Sequence, residues 1–212
     1  PGFDKLFLKT NEISNKCHNK YFISLEEELL KNGNSVVIFN ARFPLYFTKK
    51  YYDNLEGGIE GAGWHHNYVP IENGKFNNIA ESFVYSLEKL SKNGNRVVII
   101  YPIPEAGWDV PKKVFSKFFI LKKKFIEENY VTTSYENYKQ RVKSTFEILD
   151  SIKGENIYRI YPDKIFCNTL IEGRCLTHDA KNLFYSDAHH PSLYIVEKLT
   201  DQTMKKIEFI LE

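Results

Sequence analysis

Near its C-terminal end the chain reads Ser186-Asp-Ala-His-His-Pro-Ser192, which sets a carboxylate, Asp187, three residues ahead of an imidazole, His190. That pairing suits acyl chemistry on a hydroxyl nucleophile. The imidazole takes the hydroxyl proton, and the carboxylate orients the ring and stabilises its cation. With both groups on one turn, which Pro191 helps to fix, little else has to be arranged. A helix N-cap region carrying surface histidines has the same residue types, so the pair alone leaves both readings open. The remaining histidines offer metal-ligand chemistry only weakly. His65-His66 with Glu60, and His178-Asp179 with Asp187, His189 and His190, have no His-x-His or His-Glu-x-x-His spacing, and no metal site is read from them. His189 is read as a neighbour that tunes the loop, not as a second base.

The elements that must position Asp187 and His190 follow from periodicity and punctuation. Ser24-Leu-Glu-Glu-Glu-Leu-Leu-Lys-Asn32 has a Ser N-cap with Glu27 three residues on, and Gly33 follows as a stop, so a helix is expected over 24–32. Ser35-Val-Val-Ile-Phe39 is a continuous β-branched run, expected to be a central strand buried on both faces. The rhythm repeats with a helix over about 79–90, the breaker Lys92-Asn-Gly-Asn95 and the strand Arg96–Tyr101. A third helix over about 134–151 leads through Gly154 to the strand Ile157–Tyr161, and an amphipathic helix over about 192–211 ends the chain. Such units imply one α/β domain over 1–212, a three-layer α/β/α sandwich with a mostly parallel sheet. Ligands in such sheets sit beyond the carboxyl ends of the strands. The segments there are Asn40-Ala-Arg-Phe-Pro44, Tyr101-Pro-Ile-Pro-Glu-Ala-Gly-Trp108 and the Asp187 turn itself. Residues 51–74 lack periodicity and read as an excursion near the site or a flexible flap.

Bulk properties narrow the partner. Twenty-nine basic residues against twenty-seven acidic ones leave a net charge of +2 with the signs interspersed, which gives no basic face for nucleic acid. No apolar run reaches the roughly 18 residues of a membrane span. The chain opens at Pro1 without Met, and a longer parent protein is expected. Cys167 and Cys175 flank a short loop that Gly173 lets turn back, so a local disulfide is sterically feasible; two unpaired buried thiols in a cytosolic protein would show the same spacing. Cys17 is left odd.

Four blocks in order carry a resemblance: Asn40-Ala-Arg42-Phe-Pro44, Glu56-Gly-Gly-Ile-Glu-Gly61, Tyr101-Pro-Ile-Pro-Glu-Ala-Gly-Trp108-Asp-Val-Pro111, and Tyr185-Ser-Asp-Ala-His-His-Pro-Ser-Leu193. Together they resemble the SGNH (GDSL-like) hydrolase domain fused to acyltransferase family 3 membrane proteins, and the similarity covers nearly the whole chain. The resemblance implies an SGNH/flavodoxin-like fold on the periplasmic or extracellular face, tethered through a transmembrane acyltransferase domain. That domain would deliver acetyl groups whose ultimate donor is acetyl-CoA, and the SGNH domain, with no cofactor of its own, would pass them to a carbohydrate acceptor. It implies His190 as general base and then acid, Asp187 as its orienting partner, and Asn40 or Arg42 near the acyl oxygen or the sugar. Arg42 is equally suited to a structural ion pair at the strand end. Trp64 and Trp108, both in expected site loops, offer rings for stacking on sugar.

The sequence departs from that family in its nucleophile. The family opens with a strand followed by Gly-Asp-Ser, and no Gly-Asp-Ser occurs in these 212 residues. Ser186 and Ser192 are too close along the chain to present an oxygen to His190 easily. The expectation is that the first strand and its serine lie upstream and that the sheet here lacks its N-terminal strand. Two alternatives stay open: a carbohydrate acetyl esterase using the same triad with water, and a non-catalytic glycan-binding or partner module.

Overall fold

The computed structural model describes residues 19–48, 50–60, 76–120 and 129–212. Cys17, Trp64, His65 and His66, with much of the 51–74 excursion and any strand preceding the first helix, lie outside the described residues. In chain order the elements are α1 (Asn19–Asn32), β1 (Val36–Asn40), α2 (Phe43–Thr48), α3 (Ile79–Lys92), β2 (Arg96–Ile100), α4 (Val110–Phe115) running into a π-helical turn (Ser116–Ile120), β3 (Thr132–Ser134), α5 (Tyr135–Ser151), β4 (Ile157–Ile160), α6 (Asp163–Phe166), β5 (Arg174–Leu176) and α7 (Leu193–Leu211). The chain forms two compact units: one from residues up to 48 with 62–101 and 144–159, the other from 49–61, 102–143 and 160–212.

The first unit holds the sheet β1-β2-β4, in which β1 and β2 run parallel with Val36 opposite Arg96 and Asn40 opposite Ile100. Val97, Val98 and Ile99 are wholly buried, as the middle strand of a covered sheet requires. β1, expected to be central, instead stands at an end of the described sheet, and Ile38 is 47% exposed. A β-branched run fits a pleated strand at either place, so it specifies the strand but not its neighbours. Beside β1, Phe43 and Phe47 of α2 meet Phe83 of α3 at ring distances of 5.4 and 5.8 Å.

One buried amide joins three of these elements. Asn95 accepts the Ser35 N–H at 3.0 Å through Oδ1, and its Nδ2 donates to the carbonyls of Leu29 at 3.0 Å and Leu90 at 3.3 Å. It thus gives a second donor to carbonyls in the last turns of α1 and α3, which already accept the N–H groups of Gly33 and Asn95, while fixing the approach to β1. Gly33, in the left-handed region at φ 62°, closes α1, and a Cβ there would lie 2.7 Å from the Asn93 carbonyl oxygen. α1 itself begins at Asn19, five residues before the Ser24 that resembles an N-cap. Lys20-Tyr-Phe-Ile23 contains no Gly or Pro to stop a helix, so the capping pattern falls inside it.

The second unit is built on an apolar cluster that includes Val110, Val114, Phe118, Phe166, Phe184, Tyr185, Ile195 and Leu199. Cys167 and Cys175 form a disulfide inside this cluster, 6% and 0% exposed. β3 and β5 pair antiparallel, Thr133 opposite Cys175, an addition to the parallel sheet that three-residue strands were too short to announce in the sequence. Ser134, where a helix was expected to begin, ends β3, and α5 starts one residue later.

His178, 1% exposed, is a structural residue of this core. Its Nε2 accepts the Val131 N–H at 2.9 Å, and Nδ1, 2.9 Å from the Asp179 carbonyl oxygen, is then the protonated nitrogen. Burial pushes its pKa below the usual 6.5, against the pull of the Asp179 carbonyl and with help from Lys117.

Two outcomes are expected. Replacing Cys167 and Cys175 by Ser lowers the unfolding free energy by about 2.5 kcal/mol, the loop-closure entropy of so short a loop; denaturant titration under oxidising conditions checks it, and an unchanged midpoint refutes it. The unfolded chain takes up a proton at His178 near pH 6.5, which the folded chain resists until lower pH. Stability therefore falls as pH drops below about 6.5 and levels off once the folded group also protonates. His178→Gln, which keeps an acceptor for Val131, flattens that slope in thermal melts across pH 5–7.

Candidate active site

The turn that carries Asp187 is held by main-chain bonds at both ends. Ser186 N–H reaches the His190 carbonyl at 2.9 Å, and Ser192 N–H reaches that of Phe184, also at 2.9 Å. Beneath it, the buried Tyr185 donates its hydroxyl to the Pro104 carbonyl at 2.6 Å. Between these anchors the Asp187 side chain faces back onto its own turn. Oδ1 accepts the N–H groups of His189 and His190 at 2.8 Å each, and Oδ2 stands 2.5 Å from His190 Nδ1.

Partial burial works to raise the pKa of the Asp187 carboxyl. The two N–H groups and the His190 imidazole outweigh it, with the nearby His189 adding to the effect, and hold the carboxyl down to about 2. Asp187 is therefore an anion at any physiological pH, and its contact fixes Nδ1 as the donor nitrogen of His190. Nε2 has no partner among the described residues, on a side chain 67% exposed. The His189 ring lies 4.3 Å from that of His190, centroid to centroid. Asp187, His189 and His190 also put one ligand-type atom each within 4.8 Å of one another, of which the Asp187–His190 pair is already joined by its hydrogen bond.

Neither neighbouring serine faces the imidazole. Ser186 Oγ donates to the His190 carbonyl at 3.3 Å, and Ser192 Oγ to that of Leu183 at 2.6 Å. The geometry thus presents an imidazole and the anion that holds it, with no serine hydroxyl of the described turn aimed at the ring.

Trp108 belongs to the same neighbourhood. Its loop is bonded to the Asp187 turn by the N–H groups of Ala106 and Gly107 to the Ala188 carbonyl, at 3.0 and 3.2 Å, and by Val110 N–H to the Asp187 carbonyl at 3.2 Å. The Trp108 ring is partly exposed, with Lys113 Nζ 5.0 Å from its centroid. Asp109 caps α4 by accepting the Lys112 N–H at 2.9 Å, which fixes where the ring is presented. Asn40, exposed at the end of β1, and Arg42, just before α2, belong to the first unit; Trp108, Asp187 and His190 belong to the second.

Sequence reasoning missed two buried groups of the second unit. Glu105 and Arg141 form an ion pair at 3.1 Å with side chains 7% and 10% exposed. Asn54, 0% exposed, donates to the Ala106 carbonyl at 2.7 Å. The only sequence signal for either was the density of Gly and acidic residues in the segments that hold them.

A family model described as an SGNH domain fused to AT3 domains matches residues 1–205. Among solved structures, the periplasmic domain of a lipopolysaccharide acetyltransferase from Salmonella ser. Paratyphi A is similar, with a TM-score of 0.52 and 13% identity over 94% of this chain and 68% of that one. At that identity the likeness speaks for the fold, a mixed α/β arrangement with a parallel sheet. No curated protein matches the sequence significantly. The match over 1–205 decides the family: the chain belongs to the SGNH domains that occur fused to AT3 domains.

Proposed function

We propose that this chain is the acyl-transferring domain of a membrane-tethered O-acetyltransferase, working on the periplasmic or extracellular face and passing acetyl groups to sugar hydroxyls of a surface polysaccharide of the O-antigen, capsule or peptidoglycan type. The observation that carries this reading is the Asp187–His190 contact, with Nδ1 held at 2.5 Å and the rest of a largely exposed ring left open to a reactant. The family supports the membrane partner, since these SGNH domains occur fused to AT3 domains. The fold-level likeness to the periplasmic part of a lipopolysaccharide acetyltransferase supports a carbohydrate acceptor. Acetyl-CoA is the ultimate donor, through the membrane domain.

In this reading a serine from outside these residues attacks the acetyl carbonyl while His190 Nε2 takes its proton, and the Asp187 carboxylate offsets the charge that appears on the ring. The tetrahedral intermediate collapses, His190 returns the proton to the departing donor group, and an acetyl-serine remains. A sugar hydroxyl then gives its proton to His190 and attacks the ester, and the serine leaves with the proton from the ring. Asp187 stays ionised throughout, because the donors around it keep its carboxyl at about 2. Asn40 or Arg42 would meet the acyl oxygen or the sugar, and Trp108 would stack on a sugar face.

The test is acetyl transfer by the parent protein, assayed with a purified glycan acceptor. His190→Ala is expected to lower kcat by a factor on the order of 10³ or more, and Asp187→Asn to impair it as well, since an amide neither orients the ring reliably nor balances its charge. Full activity in His190→Ala would sink the triad assignment. Glycan binding without turnover would leave a binding module, and water outcompeting sugar would make the domain an esterase. Trp108→Ala is expected to raise KM for the glycan roughly tenfold with kcat little changed, as loss of a stacking ring does; an unchanged KM removes Trp108 from the acceptor site.

A further inference from the structure

The loop Asp53–Ile59 carries no group that reaches His190, yet its centre is more tightly tied down than any catalytic chemistry of its own would explain. Asn54 is wholly buried, and every polar atom of its side chain is used: Oδ1 accepts the N–H groups of Glu56 and Gly58 at 2.8 Å each, and Nδ2 donates to the Ala106 carbonyl at 2.7 Å. Its own carbonyl accepts Nδ2 of Asn137 at 2.7 Å. To close this turn Leu55 is held at φ 57°, a conformation that a residue with a Cβ adopts at a cost, and its side chain is 69% exposed, so apolar burial does not offset that cost. The loop also lies backbone to backbone against the Trp108 loop, for a Cβ on Gly107 would stand 2.7 Å from the Gly58 carbonyl oxygen.

What Asn54 reaches explains the arrangement. The carbonyl of Ala106 and the N–H of Gly107 are two ends of one planar peptide group, and that N–H donates to the Ala188 carbonyl at 3.2 Å. The carbonyl of Ala188 and the N–H of His189 are in turn two ends of the next, and this N–H donates to Asp187 Oδ1 at 2.8 Å. The donors all point one way. From the Asn54 amide, through two peptide groups, the positive ends run toward the carboxylate, and each bond polarises the group that makes the next.

We propose that Asn54 is a positioning residue at the head of this relay, fixing and polarising the His189 N–H that holds Asp187 in line with the His190 imidazole. It touches no reactant and acts through Ala106, Gly107 and Ala188. Its relevance to catalysis rests on the acyl-transfer reading above; its effect on Asp187 does not. The titratable groups facing Asp187 on its own turn are His189 and His190, and the loop packed against that turn contributes only main-chain N–H groups to it.

Asn54→Asp removes the donor but adds a charge, so Asn54→Leu, which removes the donor without one, is measured beside it and must move both signals in the same direction. Asn54→Asp keeps an oxygen for Glu56 and Gly58 but sets a carboxylate oxygen against the Ala106 carbonyl. In the labelled 212-residue chain, NMR is expected to show the His189 amide proton moving upfield and the Asp187 titration midpoint rising by roughly half a pH unit. In Asn137→Ala, which loosens the same loop without interrupting the relay, both stay at their wild-type positions. If Asn54→Asp leaves both signals in place, or if Asn137→Ala moves them equally, the relay is overturned. Should the Asn54 variants fail to fold, the wild type decides: scalar couplings across both the Asn54 Nδ2 to Ala106 carbonyl bond and the Gly107 N–H to Ala188 carbonyl bond support the relay, and the absence of either refutes it. In the parent protein, Asn54→Asp is expected to lower kcat about tenfold with KM for the glycan unchanged. A wild-type-like His190→Ala would overturn the acyl-transfer reading while leaving the NMR result intact, so the two failures are distinguishable.

Discussion

An imidazole presents its second ring nitrogen in one fixed direction only while the first is held, and at His190 the holding falls to Asp187. That carboxylate would itself be free to swing toward solvent, since its side chain is 42% exposed. Two main-chain N–H groups of its own turn prevent this, and they do so only while the turn keeps its shape. The turn keeps its shape because its outer bonds close on themselves and its carbonyls are taken by the loop before α4. The main-chain bonds that shape the turn are ordinary in strength, about 1 kcal/mol net each, and those to the ionised carboxylate are stronger, roughly 1.5–3 kcal/mol. Their joint effect is a carboxylate with one orientation.

Beneath the turn, the same logic is carried by apolar packing. Tyr185, immediately before the turn, is buried in the cluster that contains the disulfide, Phe166 and Ile195, while its hydroxyl fixes Pro104 at the start of the opposing loop. The core thus positions both the turn and the loop that bonds it. Arg174 adds a lateral brace: it forks onto the Glu56 carboxylate at 2.7 Å through both terminal nitrogens and donates to the Thr132 carbonyl at 2.8 Å. The Glu56 loop is accordingly pinned on one side by the disulfide-bearing hairpin and on the other by Asn54.

Much of the scaffold was legible in the sequence, because long elements repeat a signal. α3, α5 and α7 show helical periodicity between breakers, and the strands β2 and β4 are β-branched runs of the expected length. The contact between Asp187 and His190 was also legible, because three residues on a turn fixed by Pro191 leave the two side chains few places to go. Short elements were not. β3, β5 and the π-helical turn after α4 span three to five residues, too few to display a period, and they arise from packing alone. Asn54 escaped for a different reason: its partners are carbonyl and N–H groups, which every residue possesses and no side-chain pattern reveals.

The order in which the chain supplies the second unit has a kinetic meaning. Its pieces come from 49–61, 102–143 and 160–212, with long stretches of the other unit between them. Contacts so far apart in sequence form late, after costly loop closure, whereas the eight-residue disulfide loop closes cheaply once its cysteines are made. The loops at 49–61 and 102–109 must therefore wait for residues 186–192 before they have a turn to brace, and the His190 ring takes its one orientation only when these distant segments have met.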